Sequence, residues 1–337
     1  MLLPRFDYLE PQNLEAALEL LAAHRDEAKI LAGGTDLLVR MKKGLLKPKA
    51  LISLKSLKGL SYIKEEDDGI RIGAGTCLAD IISSKPIQEK ARALFEACEK
   101  IGAITIQHHR GTIGGNILQD NRCHHYNQSD FYRSGRQACH KDGGKICYAR
   151  ENADRCNSTC QSDGATALMA LGAKLVLISQ EMERTVDLDQ FYTADGIMPH
   201  AIESHELLKE IVIPINNAQS NYQRLAYRSA IDYPIVCAGV LLKPVDANKG
   251  QIEKARIVVG AMGRAPLFLA QESSSLEGKN LDDTEAFQKA AKKSRDNATP
   301  FAVHNVGSTL EYRCEMVAMI VLKALKEAAL AVKDSNG

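Results

Sequence analysis

The stretch Lys29-Ile30-Leu31-Ala32-Gly33-Gly34-Thr35-Asp36 leads a short apolar strand directly into a pair of glycines. Leu37, Leu38 and Met41 follow at helical spacing, so the glycines lie between a strand end and a helix start. Backbone without side chains can approach a phosphate closely, and N–H groups at a helix start can bind it. A glycine pair after a strand is equally compatible with a plain turn, so this stretch alone does not decide between the two interpretations.

A second glycine segment, Gly111-Thr112-Ile113-Gly114-Gly115-Asn116-Ile117, favours the binding interpretation. We expect both glycine pairs to be turns flanked by strands, an arrangement that suits an extended diphosphate ligand held by two loops. The Rossmann pattern G-x-G-x-x-G is absent where a strand, turn and helix would need it, and no G-x-x-x-x-G-K-[ST] occurs. The sequence therefore favours a dinucleotide held by another type of fold.

The remaining periodicity predicts alternating helices and strands. Pro11 opens a predicted helix, and helices are also expected at 79–82, at 91–101 and from Glu311. Strands are expected at 51–54, 69–73 and 257–260. This alternation is typical of an α/β or α+β protein.

Composition excludes several classes of protein. Lys plus Arg (43) and Asp plus Glu (42) nearly cancel in 337 residues, so net charge does not suggest nucleic-acid binding. No apolar run approaches the roughly 20 residues that span a bilayer. The start Met1-Leu2-Leu3-Pro4-Arg5 lacks the basic and then apolar pattern of a secretory signal, so we expect a cytoplasmic protein.

Five of the nine cysteines lie between Cys123 and Cys160, with the spacing C-x15-C-x7-C-x8-C-x3-C. The other four are scattered through apolar surroundings and are expected to be small buried hydrophobes: Cys77, Cys98, Cys237 and Cys314. Structural disulfides are unusual in the cytoplasm, so clustered thiols favour metal ligation. The spacing alone leaves an iron–sulfur cluster, a structural zinc and a redox-labile disulfide open.

Four motifs carry a family resemblance over nearly the whole chain. They are Phe6-x-Tyr8-x-x-Pro11, the segment 32–37, the segment 112–116 and Asp163-x-x-x-Ala167-Leu168-Met169-Ala170-Leu171. In this order they resemble the FAD-binding subunit of the xanthine oxidase, or molybdenum hydroxylase, family. The resemblance implies a vanillyl-alcohol-oxidase (PCMH)-type FAD domain of two α/β subdomains, at 1–55 and 56–215. A C-terminal α+β domain with a small antiparallel sheet would follow at 216–337.

The resemblance also implies the residues that bind FAD, and it implies no catalytic residue on this chain. Two glycine loops would hold the pyrophosphate, Gly102 would pass near the flavin, and three further side chains would contribute from other segments. The implied set is Lys29, Ile30, Leu31, Ala32, Gly33, Gly34, Thr35, Asp36, Gly102, Thr112, Ile113, Gly114, Gly115, Asn116, Asp163, Leu208 and Arg224.

The cysteines lie in an insertion at about 119–162, between the second glycine segment and the Asp163 helix. A connection that long without regular structure is expected to be functional or disordered. It resembles the insertion in the flavin subunit of 4-hydroxybenzoyl-CoA reductases, which carries an additional [4Fe–4S] cluster; Cys123-x-x-Tyr126-Asn127-Gln128-Ser129 looks like its first ligand region. On that pattern the ligands are Cys123, Cys139, Cys147 and Cys156, and Cys160 is not a ligand.

The function implied by the resemblance is an electron-transfer subunit with FAD and [4Fe–4S]. Partner chains would carry the molybdenum cofactor and [2Fe–2S] clusters, in a dimer of heterotrimers that reduces 4-hydroxybenzoyl-CoA. Ferredoxin would donate the electrons. Basic residues of the insertion, such as Arg133, Lys141 and Lys145, are compatible with a higher cluster potential, with a docking surface for an acidic carrier, and equally with a solvated loop face. One alternative is a molybdenum hydroxylase that oxidises an N-heterocycle or an aldehyde. Another is a zinc-stapled nucleotide-binding scaffold without redox activity.

Overall fold

The computed structural model describes residues 2–215, 217–245, 250–304 and 308–334. Met1, the first residue of the predicted first subdomain, and Asn216, the first residue of the predicted C-terminal domain, lie outside the described residues. Among the described helices, none is long and apolar enough to cross a membrane.

A parallel three-stranded sheet forms the first part of the chain. Its strands are β1 (Asp7–Leu9), β2 (Ala28–Leu31) and β3 (Ala50–Ser53), in the spatial order β1-β3-β2. The connections are α1 (Leu14–His24), a 3-10 turn at Arg25–Glu27 and α2 (Leu37–Lys42). Asn13 caps α1 by accepting a hydrogen bond from the Ala16 N–H at 2.8 Å, so α1 begins later than Pro11.

An antiparallel five-stranded sheet follows, in the order β4-β5-β8-β6-β7. Its strands are β4 (Ile63–Glu66), β5 (Gly69–Gly73), β6 (Lys174–Ile178), β7 (Glu183–Asp187) and β8 (Leu207–Pro214). The main core lies between this sheet and the helices that connect β5 to β6 and β7 to β8. Those helices are α3 (Leu78–Ser83), α4 (Lys85–Lys90), α5 (Arg92–Glu99), α6 (Gln107–Arg110), α7 (Ile113–Ile117), α8 (Asp130–Ser134), α9 (Asp163–Ala170) and α10 (Leu188–Phe191). Helix α8 has no buried residue and does not contribute to this core. A 3-10 turn at Lys58–Leu60 lies between β3 and β4, and another lies at His140–Asp142.

The last part is a four-stranded antiparallel sheet covered by helices. Its strands are β9 (Gln219–Leu225), β10 (Val236–Pro244), β11 (Ile252–Gly260) and β12 (Leu267–Phe268), in the order β12-β11-β10-β9. The helices are α11 (Ala270–Ser274), α12 (Thr284–Ala298) and α13 (Leu310–Asp334), with a 3-10 turn at Thr299–Phe301. Val317, Val321 and Leu325 recur on one face of α13 and are fully buried against the sheet.

The structure confirms the predicted fold class, a mixed α/β protein with a small antiparallel sheet at its C-terminal end. The prediction that strands flank the second glycine pair is wrong. Helix α6 precedes that pair, and Gly114 and Gly115 lie within α7, which Thr112 caps by accepting from the Gly115 N–H at 3.1 Å. The insertion is also not wholly irregular, because it contains α8.

Candidate functional site

A cleft of about 730 Å³ separates the first two parts of the chain, and both glycine segments line it. Such a volume is typical of ligand-binding clefts. The first segment connects β2 to α2, and Gly34 has φ of +73°, a conformation that glycine adopts without strain. A Cβ on Gly33 would lie 1.6 Å from the carbonyl oxygen of Arg110, so the glycine allows the first segment to touch the backbone just before the second. The absence of side chains therefore brings the two segments together.

Most of the predicted cofactor residues line this cleft. From the first segment these are Lys29, Ile30, Ala32, Gly33, Gly34, Thr35 and Asp36; from elsewhere they are Gly102, Thr112, Gly114, Gly115, Asn116, Asp163 and Leu208. Leu31, Ile113 and Arg224 do not line it. The Ile113 side chain lies in the main core. Arg224 Nη1 instead contacts Asp163 Oδ1 at 3.2 Å and the carbonyl oxygen of Lys100 at 2.8 Å.

Asp163 is the first residue of α9 and one of the few buried carboxylates of the described chain. The hydroxyl of Tyr222 donates to Asp163 Oδ1 at 2.5 Å, and Arg224 contacts the same oxygen. Burial raises the pKa of the Asp163 carboxyl above its ordinary value, while the positive charge of Arg224 opposes this change. Arg224 therefore orients Asp163, which lines the cleft.

Buried polar atoms in the cleft wall need a partner. In the described part of the chain, Gln119 Nε2, Gln161 Oε1 and His200 Nε2 are buried without a hydrogen-bond partner, and all three residues line the cleft. Burial lowers the pKa of His200 to about 4, so its imidazole is neutral at neutral pH. Such atoms are costly unless satisfied, and a polar ligand would satisfy them. The cleft therefore fits an extended polar cofactor. These three side chains are not among the predicted site residues, because no local motif marks them.

The insertion closes around a second, small cavity. The predicted cluster ligands Cys123, Cys139, Cys147 and Cys156 all line this cysteine cavity, and no described cysteine is in a disulfide. Cys160 is elsewhere: it lies in the main core, and its N–H donates to the carbonyl oxygen of Gly263 at 2.9 Å.

Hydrogen-bond donors already point at two of the cavity sulfurs. The Ser158 N–H lies 3.4 Å from Cys156 Sγ, and Asn157 Nδ2 lies 3.8 Å from Cys147 Sγ. Burial raises the pKa of the Cys123 thiol to about 11, so this thiol needs a nearby positive charge, such as a metal, to ionise at neutral pH. Within the described residues, no three His, Cys, Asp or Glu side chains are grouped to hold a single metal ion.

The other cysteines and the basic residues of the insertion differ in part from expectation. Cys98 and Cys237 are fully buried, whereas Cys77 and Cys314 are only half-buried. Arg133 and Lys141 are largely buried in ion pairs with Asp142 and Asp120, so they do not contribute to a basic surface. The prediction of a surface that includes these two residues is wrong, because two carboxylates of the insertion neutralise them and both side chains are largely buried.

The family is decided by sequence models and by relatives of similar length. Residues 4–216 match the FAD-binding domain in molybdopterin dehydrogenase, and residues 221–328 match the CO dehydrogenase flavoprotein C-terminal domain. The chain belongs to this family. It is an FAD-binding subunit of the molybdenum hydroxylase and CO dehydrogenase medium-chain type, as the sequence motifs predicted. The narrower relation to 4-hydroxybenzoyl-CoA reductases stays a prediction.

Individual relatives agree with this family. The nicotinate dehydrogenase FAD-subunit of Eubacterium barkeri is 29% identical over 82% of this chain and 81% of its own. The glyceraldehyde dehydrogenase medium chain of Sulfolobus acidocaldarius is 26% identical, covering 97% of this chain and 99% of its own. A CO dehydrogenase structure from Hydrogenophaga pseudoflava that lacks the Mo-pyranopterin moiety is similar with a TM-score of 0.77 at 26% identity, over 98% of this chain and 99% of that chain.

Proposed function

We propose that this chain is the FAD and [4Fe–4S] electron-transfer subunit of a multisubunit molybdenum enzyme. One observation carries the proposal: four cysteines from a single insertion line one cavity, beside the cleft that both glycine segments line. Family membership supports FAD in the cleft. The cysteine cavity is what distinguishes a chain with two redox groups from a flavoprotein with one.

FAD, when bound, can exchange electrons singly or in pairs. We assign its binding to the predicted cofactor residues that line the cleft, with Gly33 and Gly34 admitting the diphosphate close to the backbone. Asp163 offers a carboxylate to a polar part of the cofactor, and Leu208 offers an apolar surface. Leu31 and Ile113 contribute as parts of the two glycine segments, and Arg224 acts through Asp163.

We assign the cluster to Cys123, Cys139, Cys147 and Cys156, since a [4Fe–4S] cluster takes one thiolate per iron and transfers single electrons. Four cysteines also suit a structural zinc, so the metal content decides between the two assignments.

We propose domain boundaries at 1–55, 56–215 and 216–337, with the insertion at about 119–162. The matches to two family models, at 4–216 and 221–328, support the second boundary. The separate parallel and antiparallel sheets support the first.

The deciding measurement is the metal and flavin content of the anaerobically purified complex. We expect FAD and about four irons for each copy of this chain. Stoichiometric zinc without iron would overturn the cluster assignment and favour the zinc-stapled scaffold. FAD without iron or zinc would leave an ordinary flavin subunit.

A matched pair of cysteine variants tests the ligand set. Cys139→Ser is expected to remove the cluster and keep FAD, because Cys139 lines the cysteine cavity and not the cleft. Cys160→Ser is expected to keep all the iron, because Cys160 lies in the main core. Iron and flavin assays on both variants check this. Loss of iron from the Cys160 variant alone would contradict the assignment.

The specific reaction that we propose is the reduction of 4-hydroxybenzoyl-CoA. Support comes from the resemblance of the cysteine insertion, because an extra cluster suits entry of single electrons from a donor such as ferredoxin. The substrate would bind on a partner chain with the molybdenum cofactor, and [2Fe–2S] clusters on a further chain would connect the two, in a cytoplasmic dimer of heterotrimers. Four half-buried or buried thiols that are not in disulfides suit a reducing compartment.

A second candidate is a hydroxylase that oxidises an N-heterocycle or an aldehyde. The names of two relatives favour it, a nicotinate dehydrogenase and a glyceraldehyde dehydrogenase. The complex purified with its own partner chains distinguishes the two. Consumption of 4-hydroxybenzoyl-CoA with reduced ferredoxin supports the reductase. Reduction of an electron acceptor by nicotinate or glyceraldehyde, without that activity, supports the hydroxylase.

A further inference from the structure

A continuous series of oppositely charged side chains connects the cleft to the cysteine cavity. We call Arg122, Asp36, Arg40, Asp120 and Lys141 the charge chain. Arg122 Nη2 lies 2.5 Å from Asp36 Oδ1, and Arg40 lies between Asp36 and Asp120, with Nη2 3.0 Å from Asp120 Oδ2. Lys141 Nζ lies 2.8 Å from Asp120 Oδ1. Asp36 and Arg40 line the cleft, and Lys141 lines the cysteine cavity.

The Lys141 end of the charge chain is well shielded from solvent. The side chains of Lys141 and Asp120 are 6% and 10% exposed, so water and salt screen this pair far less than a surface pair. The Lys141 ammonium also donates to the carbonyl oxygens of Gly196 at 2.8 Å and Asn121 at 3.0 Å. These contacts fix the positive charge in one place at the cavity wall.

Lys141 also reaches the cavity sulfurs through a hydrogen-bonded neighbour. Its Nζ lies 3.4 Å from Ser158 Oγ, and that hydroxyl lies 3.5 Å from Cys156 Sγ. The Lys141 side chain therefore faces a cavity whose four thiolates would be anionic with a cluster bound. Lys141 is also paired with the Asp120 carboxylate, and Arg40 contacts the same carboxylate from the cleft side.

We propose that Lys141 raises the reduction potential of the cluster, and that Asp120 limits this effect by partly neutralising Lys141. The inference rests on the cluster assignment proposed above. Reduction adds one electron to the cluster and makes or breaks no bond, so a fixed positive charge at the cavity wall stabilises the reduced form more than the oxidised form. Lys141 places a positive charge at the cavity wall and does not bind the cluster.

The test is a potentiometric titration of the anaerobic complex, followed by electron paramagnetic resonance of the reduced cluster. Titanium(III) citrate is the reductant: each Ti(III) loses one electron to become Ti(IV), and each cluster gains one. Lys141→Met removes the charge at nearly constant length, and the expected result is a midpoint potential more negative than that of the wild type. Asp120→Asn removes the neutralising carboxylate, and the expected shift is positive. Lys145→Met, at an exposed lysine of the same insertion, is the control and is expected to leave the potential unchanged.

The outcomes separate this inference from the cluster assignment. A wild-type complex without iron overturns both. Iron-loaded Lys141→Met with the wild-type potential, or with the same shift as Lys145→Met, overturns only the role of Lys141. If Lys141→Met does not hold iron, the potentials of Asp120→Asn and Lys141→Arg are measured instead. A positive shift of the midpoint potential in Asp120→Asn, with little shift in Lys141→Arg, supports the inference. An unchanged midpoint potential in Asp120→Asn overturns it.

Discussion

Gly33 is the residue at which the two glycine segments meet. A Cβ here would overlap the carbonyl oxygen of Arg110, and that oxygen belongs to the backbone, which cannot rotate away as a side chain can. We therefore expect Gly33→Ala to displace one segment and to weaken FAD binding by about tenfold or more, which corresponds to ~1.4 kcal/mol. The ratio of flavin to protein after purification checks this. Gly59→Ala is the control, since its Cβ would meet no atom within 4 Å; equal flavin in both variants would contradict the prediction.

His200 is a residue whose charge is coupled to folding. Burial lowers the pKa of His200 to about 4 from an ordinary 6.5. Between these two pH values the unfolded chain therefore binds a proton at His200 and the folded chain does not. Its stabilising contribution is complete above pH 6.5 and is lost as pH falls towards 4. We expect the apoprotein to lose on the order of 2–3 kcal/mol of unfolding free energy from this residue over that range.

Urea unfolding of the apoprotein at several pH values checks the contribution of His200. His200→Gln does not titrate at this position. The slope of its unfolding free energy against pH is expected to be smaller than that of the wild type, by an amount equivalent to at most about one proton. His109→Gln, at an exposed histidine that also lines no part of the cleft, should behave as the wild type does. The same pH slope in His200→Gln as in the wild type would show that other groups cause the loss.

At the scale of elements, Arg122 and Thr159 pair near the two ends of the insertion, as two residues in neighbouring antiparallel strands do. The N–H of Arg122 donates to the carbonyl oxygen of Thr159, and the N–H of Thr159 donates back, both at 2.8 Å. Such a reciprocal pair holds two backbones about 5.5 Å apart, a span that a two-residue Asn-Gly hairpin closes. The chain between these two residues is therefore removable without moving its ends.

Replacing residues 123–158 by Asn-Gly is expected to abolish iron binding and to keep FAD. The glycine segments and Asp163 lie outside the excised stretch, and Arg40 still pairs with Asp120 when Lys141 is absent. Flavin and iron assays check this, with the four cavity cysteines changed to serine in a full-length chain as the control. Loss of FAD from the excised chain, with FAD kept in the control, would mean that the insertion itself supports the flavin cleft.

The elements also explain what could be predicted from sequence. Strands such as β2 and β5 follow from local periodicity, and the first glycine segment follows β2 directly. The helical setting of Gly114 and Gly115 was missed because a Gly-Gly pair weakens the local helix signal, while the cap by Thr112 depends on one hydrogen bond. The charge chain takes its members from three separate segments of the chain, so no spacing rule brings Asp36, Asp120 and Lys141 together.

At the scale of the whole molecule, the C-terminal domain supports the insertion. Val303, which precedes α13, packs with Cys123, Tyr126 and Ala149 of the insertion. The fully buried Arg313 at the start of α13 donates to the carbonyl oxygens of Ile235, Val303 and Ala261. The Arg313 guanidinium therefore connects α13, the ends of the four-stranded sheet and the segment at Val303, which packs with the insertion.

Arg313→Met should destabilise this arrangement, because it leaves three buried carbonyl groups without their donor. Each unsatisfied group costs about 1–3 kcal/mol, so we expect a loss of roughly 3 kcal/mol or more and a Tm lower by roughly 5 to 10 °C. Thermal unfolding followed by circular dichroism checks this. Lys326→Met, at an exposed position of the same helix, is expected to keep the wild-type Tm. Because Val303 packs in one buried cluster with Cys123, the Arg313 variant should also lose iron at a lower temperature than the Lys326 variant. Iron loss at the same temperature in the two would mean that the C-terminal domain does not support the cysteine cavity.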